Sequence, residues 1–316
     1  MYIAKQIKAL TVAAALAALP GVSLGFGTIN GLGQDTEHEK ITRLGLAGLG
    51  FEPNTMDEIA GKGGTFGAVG APDHPLRGLM SEHKAHCDGG DHLAIAGYPH
   101  SAVDAEKVLT DCRNWILDNM DKAVAAAGAL LDRNGNIRDS QIPTFFSCTY
   151  NGKSGRAKCN VLDALGLALH ASQDFYSHTN WTDVGAPPPG TVDNPPGLLN
   201  TATNDWINDR NASFSSGLIS GCFDGVPESF HCDGRVRHDV LNKDKGAIDV
   251  NTGTIGAGTT PRAQGNANFA NAVTIAIADT KRKWLMFETM VKAQYGEARG
   301  AKIICAMKRD NPAKTC

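Results

Sequence analysis

Two histidines and one aspartate recur at four-residue spacing in the middle of this 316-residue chain, at His170, Asp174 and His178. Residues four apart on an α-helix lie one turn above each other on the same face. The residues before them are strongly apolar and predict a buried helix, in which three polar side chains need a partner. Because imidazole and carboxylate are zinc ligands, the spacing predicts a metal site. A polar face with hydrogen-bonded histidines is the structural alternative.

Other histidines and acidic residues that could bind metal lie in three further segments. His38 falls in the first turn of a helix predicted to begin at residue 36, and His238 lies in a polar stretch after a long loop. Between them, residues 73–88 are unusually rich in histidine and aspartate. Four separated segments that converge on one point are typical of multi-metal hydrolases. We expect the remaining histidines to lie on the surface or in loops: His74, His83, His92, His100 and His231.

The N-terminal 25 residues have the composition of a secretory signal peptide. Lys5 and Lys8 precede an apolar stretch at residues 9–19, and the small residues Ser23 and Gly25 follow. The stretch is too short to span a membrane, which takes about 20 apolar residues. We therefore expect cleavage near Gly25 and a secreted or periplasmic protein formed by residues 26–316. Loss of the two lysines would take the formal net charge from −3 to −5, which gives no general footprint for nucleic acid.

All eight cysteines lie after the expected signal peptide, and an even number in a secreted chain predicts four disulfides. Connectivity does not follow from sequence alone. Short spacings favour pairing between neighbours along the chain: Cys87–Cys112, Cys148–Cys159, Cys222–Cys232 and Cys305–Cys316.

Helical periodicity is strong in three long stretches, at about residues 101–131, 157–181 and 266–295. Residues 36–48 predict a further helix, residues 203–214 a short one, and residues 182–261 are otherwise irregular. We found no strand-like alternation. The sequence therefore predicts an all-α fold, a single-domain helical bundle with long disulfide-tied loops around a multi-zinc site.

The central motif, residues 168–181, resembles a known family. It is similar to the pattern ALH-x3-DF-x2-H-[ST]-N of the Het-C-like branch of the zinc-dependent phospholipase C and S1/P1 nuclease superfamily. Residues 37–42 and the segment that begins at His238 are supporting matches. The resemblance spans about 200 residues by spacing, although only the central motif is specific.

The resemblance implies an all-α fold with two or three zinc ions. It places Asp174, which would bridge two zincs, and Asp73 in catalytic roles. In the phospholipases a final carboxylate follows four residues after the last histidine, where this chain has Asn242, and Asp244 is the substitute. Asp88 competes with Asp73 as the carboxylate of its segment. The implied ligand set is His38, Asp73, His86, Asp88, His170, Asp174, His178, His238 and Asp244.

Two features of this chain depart from the superfamily. The last histidine of the central motif follows its aspartate by four residues here, and by six in the phospholipases and nucleases. Those enzymes also use the amino group of an N-terminal tryptophan as a ligand, whereas the first tryptophan of this chain is Trp115. The N-terminal ligand therefore remains open.

The resemblance favours a secreted phosphodiesterase that cleaves phospholipids in the manner of a phospholipase C, with a metal-activated water as the nucleophile. We expect a monomer that contacts membrane surfaces transiently and has no stable nucleic-acid partner. Two alternatives stay open. One is a single-strand-specific nuclease of the S1/P1 kind, and the other is a non-enzymatic, toxin-like or interaction protein with structural zinc.

Overall fold

The structure is a computed structural model that describes residues 25–31, 34–144, 148–223 and 232–316. The expected signal peptide, except Gly25, and His231 lie outside the described residues.

Helices dominate the described part of the chain, as the sequence predicts. The six longer helices are α1 (Glu37–Leu46), α2 (Pro53–Ala60), α4 (Ala102–Ala127), α5 (Ala157–His178), α8 (Asn268–Tyr295) and α9 (Glu297–Lys308). Four single-turn helices are α3 (His83–His86), α6 (His238–Leu241), α7 (Pro261–Gln264) and α10 (Pro312–Thr315).

Two small antiparallel sheets, which the sequence did not predict, complete the fold. Strand β1 (Asn30–Gly31) pairs with β2 (Gln34–Asp35), and β3 (Gly246–Ile248) pairs with β4 (Ile255–Gly258). Strands of two to four residues are too short to show alternation, so nothing in the sequence distinguishes them from loops.

Helix α5 lies at the centre of the molecule and packs mainly against α4 and α8. Nearly every residue from Ala157 to His178 is buried, including the polar residues of its second half. Its Gly166 permits a close approach to Ala68, because a Cβ there would lie 2.3 Å from the Ala68 carbonyl oxygen. The carbonyl of the next residue, Val69, then reaches His170.

Several predicted boundaries differ from the structure. The segment 203–214 forms only a 3₁₀ turn at Trp206–Asn208, and α5 ends at His178 rather than Trp181. Thr179 has extended backbone angles, and its hydroxyl donates to the Phe175 carbonyl, which accounts for the earlier end. Helices α2 and α9 were not predicted.

Four disulfides connect the cysteines in the predicted neighbouring pairs. Cys87–Cys112 ties the segment after α3 to α4, and Cys222–Cys232 closes a loop before α6. Within the described ranges, no helix has the length and apolar character that a membrane crossing would require.

Candidate metal centre

The first cluster consists of histidines and aspartates from four elements: α1, the 3₁₀ turn Ala71–Asp73, α3 and the second half of α5. Asp174 is at its centre. One carboxylate oxygen of Asp174, Oδ2, lies 3.0 Å from His86 Nδ1 and 3.1 Å from His170 Nε2, and Oδ1 lies 3.2 Å from His38 Nε2. A carboxylate whose two oxygens face different histidines has the arrangement of a bridging ligand.

Asp73 lies beside the same histidines and is fully buried. Its Oδ1 is 3.7 Å from His170 Nε2 and 3.8 Å from His86 Nδ1, beyond hydrogen-bonding distance. Among the described residues, neither oxygen of Asp73 has a hydrogen-bond donor. A buried carboxylate without donors is costly, and a cation among these side chains would remove the cost. The donor set therefore fits a metal ion.

The second cluster lies further along α5 and combines Asp88, His178, His238 and Asp244. Both histidines lie between the two carboxylates. The Nδ1 atoms of His178 and His238 lie 3.2 and 2.9 Å from Asp88, and their Nε2 atoms lie 3.0 and 3.3 Å from Asp244. All four side chains are almost completely buried.

Three groups of ligand atoms in these clusters are close enough to hold a metal ion. Each group has its atoms within 4.8 Å of one another: His38 with Asp73 and His170, His86 with His170 and Asp174, and Asp88 with His178 and His238. The first two groups share His170, and geometry alone identifies neither the metal nor the number of ions.

Hydrogen bonds orient most of the histidine rings. His170 Nδ1 donates to the Val69 carbonyl, His86 Nε2 to the Leu79 carbonyl and His178 Nδ1 to the His86 carbonyl, at 2.9, 3.1 and 2.7 Å. His38 Nδ1 donates to Gln173 Oε1 at 2.7 Å. Each bond leaves the opposite nitrogen facing its cluster, which is the usual arrangement of metal-binding histidines.

Electrostatic coupling inside the clusters is strong. Burial alone would raise the pKa of Asp174, but His170, His178 and His38 outweigh it and hold that pKa well below its usual range. Burial lowers the pKa of His170, which favours the neutral imidazole that binds metals.

In the second cluster the carboxylates together affect the histidine pKa values more strongly than burial does. Burial opposes a charged imidazole, yet Asp88 and Asp244 raise the pKa of His178 well above its usual range. The pKa of His238 is raised to about 9, chiefly by Asp88.

The structure brings all nine candidate ligands together in these two neighbouring clusters. Asp73 and Asp88 belong to different clusters and are not alternatives to each other. Asp244, the proposed substitute at the final carboxylate position, lies against both histidines of the second cluster. His74, His83, His92 and His100 are outside the metal-compatible groups found among the described residues.

Two contributors were missed by sequence reasoning. Gln173 orients His38, and its position beside Asp174 in the central motif was the available signal. The second is the backbone nitrogen of Phe26, which donates to Asp174 Oδ1 at 3.1 Å. Only the expected cleavage near Gly25 pointed to this part of the chain.

Comparison of the chain with models of known families, with curated proteins and with solved structures finds no match in any of the three.

Proposed function

We propose that this protein is a secreted, zinc-dependent phosphodiesterase that hydrolyses phospholipids in the manner of a phospholipase C. The observation that carries the proposal is Asp73, a fully buried carboxylate with no donor among the described residues, facing His86 and His170. A site built only for stability would pair such a group with a donor. Here the histidines turn their acceptor-capable nitrogens toward it, so a cation is the natural partner.

The two clusters would hold different metal ions. His38, His170, His86 and Asp174 would hold two ions, and His178 and His238 with Asp88 or Asp244 would hold a third. Bound zinc would lower the pKa of a coordinated water toward 7 and stabilise charge on phosphate oxygens. Asp73 would orient the attacking water and accept its proton.

The position of Phe26 supplies a candidate for the missing N-terminal ligand. Ser23 and Gly25 are the small residues that a signal peptidase prefers before a cleavage point. Cleavage between Gly25 and Phe26 would convert the Phe26 amide into a free amino group. In the structure this nitrogen already lies 3.1 Å from Asp174 Oδ1. The amino terminus of Phe26 would then take the role that the superfamily gives to a tryptophan.

The test is the variant Asp174→Asn in the mature protein. An amide bridges metals poorly, so at least one zinc per chain should be lost and phosphodiester turnover should fall by several orders of magnitude. Asp163→Asn is the matched control, because it removes a carboxylate from the same helix at a residue that pairs with Arg77. The control should keep its metal and its activity.

Both variants and the wild type are assayed on phosphatidylcholine vesicles, a soluble phosphodiester and single-stranded DNA, with elemental analysis of each preparation. Loss of phospholipid cleavage in Asp174→Asn alone supports the proposal. Cleavage confined to DNA would favour the nuclease instead. The proposed enzymatic function would be refuted if the wild type contains less than one transition-metal ion per chain or is inactive on all three substrates.

A further inference from the structure

A cleft of about 830 Å³ lies beside the second cluster, and we call it the Trp115 cleft. One wall is a stripe of α4 at helical spacing, formed by Val108, Asp111, Trp115, Asp118 and Lys122. Further lining residues come from α3, from the residue after Asp88 and from the chain before His238: His83, Lys84, Gly89, Cys222, Phe223 and Arg235.

Backbone segments that line the Trp115 cleft also adjoin residues of the second cluster. Gly89, which lines the cleft, directly follows Asp88. On the other segment, the Cys222 carbonyl accepts from the His238 backbone nitrogen at 3.0 Å, and the Phe223 ring lies 5.1 Å from the His238 ring. A molecule in the cleft therefore lies beside segments that carry the second cluster, which would hold the third ion.

Two lysines from different elements converge on the indole ring of Trp115. Lys84 Nζ lies 5.2 Å from the ring centroid and Lys122 Nζ lies 5.8 Å from it. Each cation–π contact is favourable. Together the contacts place two ammonium groups within 6 Å of the centre of one indole ring.

The acidic residues that line the cleft pair with cations of their own. Asp111 binds Lys107 and Asp118 binds Arg210, both at 2.7 Å, and Arg210 also binds Asp121 at 2.9 Å. Arg235 is committed to the buried Asp91, at 2.5 Å.

This leaves the two lysines with little compensation. Glu82 binds Lys84 at 3.3 Å, and Lys122 donates to a neutral group, Asn119 Oδ1, at 3.4 Å. Among the described residues, Lys122 therefore has no carboxylate partner, and the ammonium groups of both lysines lie beside the indole ring of Trp115.

We propose that the Trp115 cleft binds a second, phosphate-bearing part of the substrate, outside the bond that is cleaved. The ammonium groups of Lys84 and Lys122 would donate to its phosphate oxygens, and the indole face would pack against the adjoining organic group. This assignment rests on the proposed function only for its role in catalysis, because anion binding itself needs no metal.

The probes are inorganic phosphate, phosphocholine and a nucleoside 5′-monophosphate, titrated into the mature protein by calorimetry. The variant Lys84→Gln/Lys122→Gln should bind the organic phosphates at least about tenfold more weakly, because each charged hydrogen bond contributes substantially. Its metal content should match that of the wild type.

The double variant Lys62→Gln/Lys292→Gln is the charge-matched control, since both lysines pair with carboxylates that do not line the cleft. Affinity unchanged in Lys84→Gln/Lys122→Gln, or lowered equally in the control, would overturn the site. Inorganic phosphate bound as tightly as both organic phosphates would overturn the role of Trp115. Preference for one organic phosphate supports that role and identifies the source of the ligand.

The two proposals fail separately. Lysine-dependent binding by a protein that is inactive on every phosphodiester would support the Trp115 cleft and refute the enzyme. If the Lys84→Gln/Lys122→Gln variant keeps both phosphodiesterase activity and phosphate affinity, the enzymatic function is supported and the Trp115 cleft is refuted as a binding site.

Discussion

Gln173 determines how His38 faces the first cluster. Its side-chain oxygen accepts from His38 Nδ1, while its amide nitrogen donates to Thr42 Oγ1 and Thr280 Oγ1 at 2.9 and 3.0 Å. These three bonds can form together in only one orientation of the Gln173 amide, because its oxygen must face His38 and its nitrogen must face the two threonines. The proton of His38 is therefore on Nδ1, and Nε2 faces Asp174.

Replacing Gln173 with leucine should lower metal affinity by about 10- to 100-fold, the usual cost of losing an orienting partner. Competition with a chromophoric chelator measures this affinity. Thr280→Val is the control, because it removes one partner of the Gln173 amide and leaves the bond to His38. Equal losses in both variants would assign Gln173 a packing role.

The second cluster should release protons when it takes up a metal. The pKa of His238 is about 9, and that of His178 is also raised, so in protein stripped by chelation both are protonated at neutral pH. Because these pKa values are raised, the stabilisation that the two histidines provide is complete below about pH 6.5, their unfolded value. The part that His238 provides is lost as the pH rises through about 9.

Zinc must displace these protons, so its apparent affinity should increase with pH across this window. Calorimetric titration of the stripped protein at pH 7.5, in two buffers of different ionisation enthalpy, should show roughly two protons released from this cluster. A heat independent of the buffer would show that the histidines are neutral or that zinc does not bind there.

Helix α5 depends on a close backbone contact to position its ligands. Gly166→Ala would place a methyl group against the carbonyl oxygen and carbon of Ala68, which are backbone atoms and cannot move away as a flexible side chain could. We expect a loss of about 1–3 kcal/mol in the free energy of unfolding, measured by denaturant titration. Gly155→Ala, whose added Cβ would meet its neighbours at 3.8 Å, should change this value by less than about 0.5 kcal/mol. Similar values for the two variants would mean that the contact relaxes.

Sequence reasoning succeeded for elements whose pattern is long. The three periodic stretches became α4, α5 and α8, each with boundaries shifted by a few residues. It failed for α2, only eight residues long, and for α9, which a glycine separates from α8. It also predicted a helix at residues 203–214. There, Asn204 Oδ1 accepts from the Trp206 backbone nitrogen and favours a turn instead.

The candidate ligands could be listed from the sequence, because metal ligands must be particular residue types. The histidines and aspartates could be enumerated, and the i, i+4 spacing of α5 placed three of them on one face. The assignment of Asp73 and Asp88 to different clusters could not be predicted. It depends on Cys87, whose left-handed backbone turns the chain between His86 and Asp88.

At the scale of the whole molecule, the disulfides connect different regions, and only some of these regions contain candidate metal ligands. Cys87–Cys112 fixes the residue between two candidate ligands, His86 and Asp88, whereas Cys305–Cys316 ties α9 to the C-terminal residue. In the chain-entropy model, removing either bridge costs about 2–4 kcal/mol of stability.

Replacing Cys87 and Cys112 together with alanine should therefore lower both thermal stability and metal affinity. The matched Cys305→Ala/Cys316→Ala variant should lower thermal stability alone. Calorimetric melting and chelator competition on the same preparations separate the two effects. If metal affinity falls equally in both variants, the Cys87–Cys112 bridge has no special role at the clusters.

The chain runs from the first cluster to the second in only two residues, from His86 to Asp88, and α5 contributes ligands to both. An ion in one cluster would therefore order segments that the other cluster also needs, and the second uptake would cost less conformational entropy. We expect cooperative filling. With less zinc than sites, the population should consist of fully loaded and empty molecules, which native mass spectrometry can count directly. Loading in independent steps would show that the shared segments are already rigid without metal.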